Sequence, residues 1–239
     1  MYFRIMASFA EPLLTRSGDT VCREYDIFPP ALPELPELRE PKILQSSPVE
    51  IGELVLVDHP RILLLENYLK AGWKCSQSGT YLRKEALSRL IKVAESLPEP
   101  WGLCVFDAWR PLDLQAELYE TAYEDPVLPK CCVSPASREP TTSPPHLTGG
   151  TVDCSFTLNG IALGLGTGFD DFTDRASTNA LEDEGGVNRD LRRWLYWLMR
   201  SVGFIVLDCE WWHFEYGTRR WAAISNKPPL FGPAKPNFK

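Results

Sequence analysis

Only three histidines occur in 239 residues: His59, His146 and His213. Basic runs are missing too, and Lys+Arg 25 against Asp+Glu 32 leave a net charge of −7. An acidic chain without a basic patch is a poor partner for nucleic acid or an anionic membrane surface. No stretch approaches the roughly 18 uninterrupted apolar residues of a membrane span. The longest candidate, Leu191 to Leu207, is broken by Arg192, Arg193 and Arg200. Residues Met1 to Leu14 carry Arg4 and Glu11 and show neither a long apolar core nor a small-residue cleavage site. The expected location is therefore the cytoplasm. The seven cysteines contain no Cys-x-x-Cys pair, which argues against a disulfide framework and against a Cys-based zinc knuckle. Gly164-x-Gly166-x-Gly168 lacks the spacing of a dinucleotide-binding turn.

What is present is enough apolar material, 44% of a 27.1 kDa chain, to bury one core without covalent staples. The 21 prolines mark the loops. Pro29, Pro30, Pro33, Pro36, Pro41 and Pro48 forbid a continuous helix or central strand over 26–48. An arm over 1–48, packed on a catalytic domain at 49–222, and an irregular tail at 223–239 are expected. Leu54 to Val57 reads as a strand. Leu82, Ala86, Leu90, Val93 and Leu97 fall on one helical stripe, with Thr80 as the N-cap and Pro98 as the stop. Gly102 to Asp107 reads as a buried strand that runs into Ala108-Trp109-Arg110-Pro111, which places Arg110 at a strand-to-helix junction. Thr151 to Leu158 alternates polar and apolar residues as a strand, and 159–187 reads as a glycine- and acid-rich loop. A helix over 191–202 ends at Gly203, before a last strand or strand pair at 204–216. This irregular alternation predicts a single α+β domain with a central mixed or antiparallel sheet flanked by helices.

A hydrolytic zinc takes three hard or borderline ligands and leaves a fourth position for water. His146, Asp153 and His213 would supply that set at the sheet. Glu210, three residues before His213, is the candidate base, in the division of labour by which ligating histidines work beside a non-ligating glutamate. Positions three apart on a regular strand point to opposite faces, so Glu210 and His213 can share a site only if the chain bends or bulges near Trp211, or if Glu210 ends the preceding turn. Taken singly, each residue also has a plain structural reading. His146 is a loop histidine beside prolines, Asp153 a solvent-facing strand residue, and Glu210 the edge of an aromatic strand. His59, between Asp58 and Pro60, fits a surface turn. Cys154 and Cys209 beside the candidates are expected to be buried.

The pattern His146-x-x-Gly149-x-x-x-Asp153, followed far downstream by Glu210-x-Trp212-His213, resembles the zinc D-alanyl-D-alanine dipeptidases of the VanX type. That family groups with D-Ala-D-Ala carboxypeptidases and certain phage endolysins. Asp107-x-x-Arg110-Pro111, Tyr81-Leu82-Arg83, Gly168-Phe169-Asp170 and Tyr216-Gly217 extend the resemblance over roughly residues 50–222, in order. It implies one zinc per chain on His146, Asp153 and His213, Glu210 as general base and acid, and Arg110 as the cation facing the scissile carbonyl, where an oxyanion forms. It also implies Asp170, with Asp171 as its rival, as the acceptor of a dipeptide's free ammonium. Of the Trp211–Trp212 pair, Trp212 is the candidate pocket wall. The sequence departs from the family at Pro144, which stands where a serine usually precedes the histidine by two; Ser143, one place further back, is the candidate substrate contact. Thr151 replaces a small residue of the family pattern. The expected activity is hydrolysis of D-Ala-D-Ala or a related D-amino-acid dipeptide, with no nucleic-acid, membrane or obligate protein partner. The alternatives are a peptidoglycan D,D-carboxypeptidase or endopeptidase, which would need export, and a catalytically silent zinc-binding interaction module, which has no use for Glu210 and Arg110.

Overall fold

The computed structural model describes residues 14–38, 40–43, 45–124 and 133–237. In chain order these form β1 (Arg16–Ser17), α1 (Gly18–Tyr25), β2 (Leu54–Leu56), β3 (Ile62–Leu64), α2 (Asn67–Lys70), β4 (Tyr81–Arg83), α3 (Lys84–Ser96), β5 (Trp101–Asp107), α4 (Leu112–Glu124), β6 (Thr151–Leu158), β7 (Ile161–Gly164), α5 (Val187–Ser201), β8 (Ile205–Leu207), β9 (Glu210–Glu215) and α6 (Arg219–Ser225). Single 3₁₀ turns lie at His146–Thr148 and Asp174–Ala176. No helix among the described residues is long and apolar enough to cross a membrane.

The eight residues of β6 are all buried, which a strand at the centre of a covered sheet requires. One edge of β6 pairs antiparallel with β5. The other edge is divided, with β9 on Thr151, Val152 and Asp153 and β7 on Thr157 and Leu158. β3 adds parallel to β5, β1 parallel to β7, and β8 antiparallel to β9, giving a mixed seven-stranded sheet. β2 and β4 form a separate two-stranded sheet. The fold is α+β, as the sequence predicts. The apolar stripe of α3 is buried at Ala86, Leu90, Val93 and Ala94. On α5, Trp194 stacks on Phe156 at 4.7 Å and meets Trp101 edge-on at 5.0 Å, so these rings join helix to sheet.

Several local expectations change. Thr80 does not cap α3. Tyr81–Arg83 pair with β2, and the Arg83 amide donates to the Gly149 carbonyl at 2.8 Å, so the helix starts only at Lys84. The stretch 159–187 is not all loop. Asn159 and Gly160, with φ of 51° and 75°, make a two-residue turn that returns the chain into β7, the hairpin chemistry of Asn-Gly. Ser225 ends a helix that overlaps the expected tail, and β1 and α1 precede the proline-rich stretch. Cys154 is buried, but Cys209 is exposed, because it sits in the tight turn between β8 and β9. Residues 26–38 carry no helix or strand. Part of the 125–145 loop, with Cys131 and Cys132, lies outside the described residues.

Candidate active site

Three backbone irregularities bring the candidate side chains together. The first is in β5. Val105 pairs with Cys154 and Asp107 with Asp153, so Phe106 is an extra residue in its strand, and such a bulge re-aims the side chains beyond it. Phe106 stacks on Phe169 at 4.9 Å. The second is the 3₁₀ turn carrying His146. Gly149 closes it in the left-handed region at φ 72°, and a Cβ on Gly150 would sit 2.3 Å from the Tyr216 carbonyl oxygen; both positions therefore require glycine. The third is in β9. Val206 faces Phe214 and Leu207 faces Glu210, so one step along β8 spans Trp211, Trp212 and His213 on its partner. This bulge resolves the problem of the three-residue spacing: Glu210 Oε2 lies 3.5 Å from His213 Nδ1.

His146, Asp153 and His213 converge as expected. His146 Nε2 is 3.3 Å from Asp153 Oδ2, and His213 Nδ1 is 3.1 Å from Asp153 Oδ1. Their ligand atoms all lie within 4.8 Å of one another, and all three residues are buried. The ring tautomers follow from the far nitrogens. His146 Nδ1 lies 2.6 Å from the Ala108 carbonyl oxygen, which can only accept, so Nδ1 carries the proton and Nε2 a lone pair. His213 Nε2 lies 3.1 Å from Glu215 Oε1, which turns Nδ1 inward toward Asp153. Asp153 Oδ1 is buried without a hydrogen bond; its 3.1 Å approach to His213 Nδ1 is a charge contact rather than an aligned bond. Two inward imidazole nitrogens and a carboxylate need positive charge between them, either a proton on His213 Nδ1 or a metal ion in its place. The two separations at Asp153, 3.1 and 3.3 Å, are those of neighbouring ligand atoms on bonds of about 2 Å.

The electrostatics divide the site. Burial pushes the His146 imidazole down to about 3, outweighing the pull of Asp153, so the ring is neutral. Burial acts the same way on His213, but Asp153 and Glu215 outweigh it and push that ring up to about 10; a metal on Nδ1 would stand where that proton stands. Glu210 is pushed up to about 7, first by burial and then by Asp153, with His213 and Arg110 opposing. That value suits a group that must take and return a proton near neutrality.

Arg110 leaves the β5–α4 junction into the same cluster. Its Nε donates to Asp107 Oδ2 at 2.9 Å, Nη1 to Gln115 Oε1 at 3.0 Å and Nη2 to the Tyr68 hydroxyl at 3.1 Å. Nη2 is 3.9 Å from Asp153 Oδ2. Burial opposes its charge, but Tyr68, Asp107, Asp153 and Asp170 outweigh burial and hold the guanidinium firmly protonated. The Tyr68 hydroxyl in turn donates to Asp170 Oδ2 at 2.9 Å, and burial pushes the Asp170 carboxyl well above the usual carboxylate range. Asp171 faces outward, accepting from the Thr173 amide and hydroxyl at 2.9 and 2.6 Å.

Trp212 is fully buried and meets Phe169 edge-on at 5.7 Å. Ser143 is buried in the loop before His146, its carbonyl accepting from Arg219 Nη2 at 3.2 Å. His59 stands apart from the cluster, its Nδ1 accepting from the Arg61 amide at 3.3 Å. Tyr68 and Glu215 join the site without being singled out by the sequence pattern. Tyr68 comes from a four-residue helix without a periodic signal. The signal for Glu215 lies in its spacing, because a residue two places after a candidate ligand on a strand shares its face.

Residues 61–227 match the D-Ala-D-Ala dipeptidase family, Peptidase_M15. The chain belongs to that family and is a peptidase. A D-alanyl-D-alanine dipeptidase of Synechocystis sp. is 27% identical over 175 residues, covering 59% of this chain and 71% of the relative. A D-alanyl-D-alanine dipeptidase of Escherichia coli is 29% identical over 142 residues, covering 58% of this chain and 68% of the relative.

Proposed function

We propose that the protein is a zinc dipeptidase that hydrolyses D-Ala-D-Ala or a closely related D-amino-acid dipeptide, with one zinc per chain held by His146, Asp153 and His213. The observation that carries this reading is the inward convergence of three buried donor groups, with Glu210 3.5 Å from one of them. When bound, the metal supplies a Lewis acid and lowers the pKa of a coordinated water to about 7. Glu210 accepts the proton of the attacking water and returns it to the leaving amine, which its raised pKa allows at neutral pH. The Arg110 guanidinium, held by Asp107, Gln115 and Tyr68, faces the carbonyl oxygen as negative charge builds on it. Asp170 receives the free ammonium of the substrate, a cation that offsets the cost of a buried carboxylate. Ser143 and Trp212 complete the substrate surroundings in this reading. The names of the two relatives support the dipeptide as substrate, and a free dipeptide of this kind fits a cytoplasmic enzyme.

One experiment tests the reading. Purified protein is assayed for zinc and for turnover of D,D-, L,D- and L,L-dipeptides and of N-acetyl-D-Ala-D-Ala. Wild type carries close to one zinc and cleaves the free D,D-dipeptide but not its acetylated form. His146→Ala and His213→Ala lose the metal. Glu210→Gln keeps it, while kcat falls by at least roughly a thousandfold. Equal rates on the free and acetylated substrates would make the protein a wall peptidase. Zinc retained by both histidine variants would overturn the ligand set.

A further inference from the structure

Behind His213 a chain of contacts runs out of the site to the proline-rich segment. Glu215 Oε1 receives two donors, His213 Nε2 at 3.1 Å and Arg220 Nε at 3.1 Å. Its other oxygen accepts from the Thr218 hydroxyl. Thr218 also caps α6, accepting from the Trp221 amide at 3.2 Å, so the first turn of α6 fixes the carboxylate from two sides. Arg220 then reaches outward, and its Nη1 pairs with Glu40 Oε2. Glu40 belongs to the proline-rich connection between α1 and β2. That stretch is laid along α5 by Arg193 Nη1 donating to the Leu32 carbonyl at 3.2 Å and Trp197 Nε1 to the Pro33 carbonyl at 3.0 Å. It rejoins the body where the Val49 amide donates to the Pro229 carbonyl at 2.9 Å.

We infer that Glu40 is a distal positioning residue for the metal ligand His213, acting through Arg220 and Glu215, so that the proline-rich connection between α1 and β2 forms part of the metal centre. The inference rests on the proposed zinc ligation by His213. Its physical basis is orientation. An imidazole ligand is aimed by the acceptor behind it, and that acceptor is only as well placed as its own partners. Glu215 is held by side chains of α6, and the guanidinium of Arg220 spans two carboxylates, one buried and one exposed. Removing Glu40 leaves Arg220 free to turn toward solvent and loosens the Glu215 oxygen that His213 uses.

The test measures zinc affinity of the full-length protein by competition with a chromogenic chelator, together with the visible spectrum of the cobalt-substituted protein. Glu215→Gln weakens zinc by about 10–100-fold and shifts the cobalt bands. Glu40→Gln, at an exposed position, weakens zinc by about two- to fivefold without moving Tm, the range open to an exposed ion pair. In an Arg220→Met background Glu40→Gln has no further effect, since the connection is already cut. Three results overturn the inference: Glu40→Gln with wild-type affinity and spectrum, Glu40→Gln equally harmful in both backgrounds, or Glu215→Gln with wild-type affinity. If Glu215→Gln does not fold, the Glu40 comparisons still decide. A wild-type chain that binds neither zinc nor cobalt overturns the ligation itself, a different failure from wild-type binding that ignores Glu40.

Discussion

Two buried arginines, Arg83 and Arg110, lie on either side of the His146 turn and are satisfied in opposite ways. Arg83 donates to four main-chain carbonyls: Thr148 at 2.8 Å, Ile51 at 3.2 Å, Gly52 at 2.6 Å and Gly232 at 2.9 Å. Arg110 donates to side chains alone, those of Asp107, Gln115 and Tyr68. Burial lowers the pKa of Arg83, with Glu50 and Glu85 only partly offsetting it, whereas the carboxylates and phenol around Arg110 raise that of Arg110. A third buried arginine, Arg192, follows the first pattern. It binds the carbonyls of Leu165, Ser177 and Arg175 at 2.8, 2.7 and 3.0 Å, and burial followed by Arg175 brings it down to about 9. Carbonyls use the guanidinium as a many-pronged donor that pins loops. Carboxylates and a ring hold it as a charge at a fixed place. Burial alone does not distinguish the arginine that pins loops from the one proposed to take part in the chemistry; the type of partner does.

The same substitution at both positions sharpens this contrast. Lysine keeps the charge and loses the planar fork. Under the proposed mechanism, Arg110→Lys should lower kcat on the order of a hundredfold, because its donors would no longer sit where the oxyanion is proposed to form, with zinc content intact and Tm little changed. Steady-state kinetics beside a thermal melt would show this, and a fall in Tm of matching size would erase the distinction. Arg83→Lys should give the opposite result. It leaves several buried carbonyls unpaired and costs about 2–4 kcal/mol, or a Tm lowered by roughly 5–15 °C, with kcat of the folded protein changed by less than about threefold. A hundredfold fall in kcat at constant Tm would move Arg83 into the chemistry. The smallest effect falls on Tyr68, whose hydroxyl joins Arg110 to Asp170. Tyr68→Phe should lower kcat/KM by roughly three- to tenfold, the worth of one such hydrogen bond. An unchanged value would mean that Arg110 is fixed without it.

The metal-binding candidates were legible because histidine is scarce and two of the three fall in patterns that resemble one family, His146 with Asp153 and Glu210 with His213. Arg110 at a strand-to-helix junction was legible from Pro111. The local geometry was less so. A polar–apolar alternation in Thr151–Leu158 suggests one wet face, yet the whole strand is buried. Ser155 meets this by donating to the Leu163 carbonyl at 2.7 Å. The periodic stripe locates the helix at Leu90 and Val93 but starts it too early, since long-range pairing with β2 outweighs local helical preference at Tyr81–Arg83. Tyr68 sits too far along the chain from its partners, and in too short a helix, for any periodic pattern to reveal it.

The excursion of β9 at Trp211–His213 makes the relation between Glu210 and His213 a matter of counting. Asp153 fixes the far end of the count by pairing with His213 across β6, and the turn after Leu207 fixes the near end at Glu210. Changing the identity of Trp211 alters packing against Phe106 and the hydrogen bond to Thr167, while the register stays the same. Losing or gaining one residue there carries Glu210 to the other side of the strand. At Trp211 the number of residues therefore matters more to where Glu210 stands than the side chain itself does.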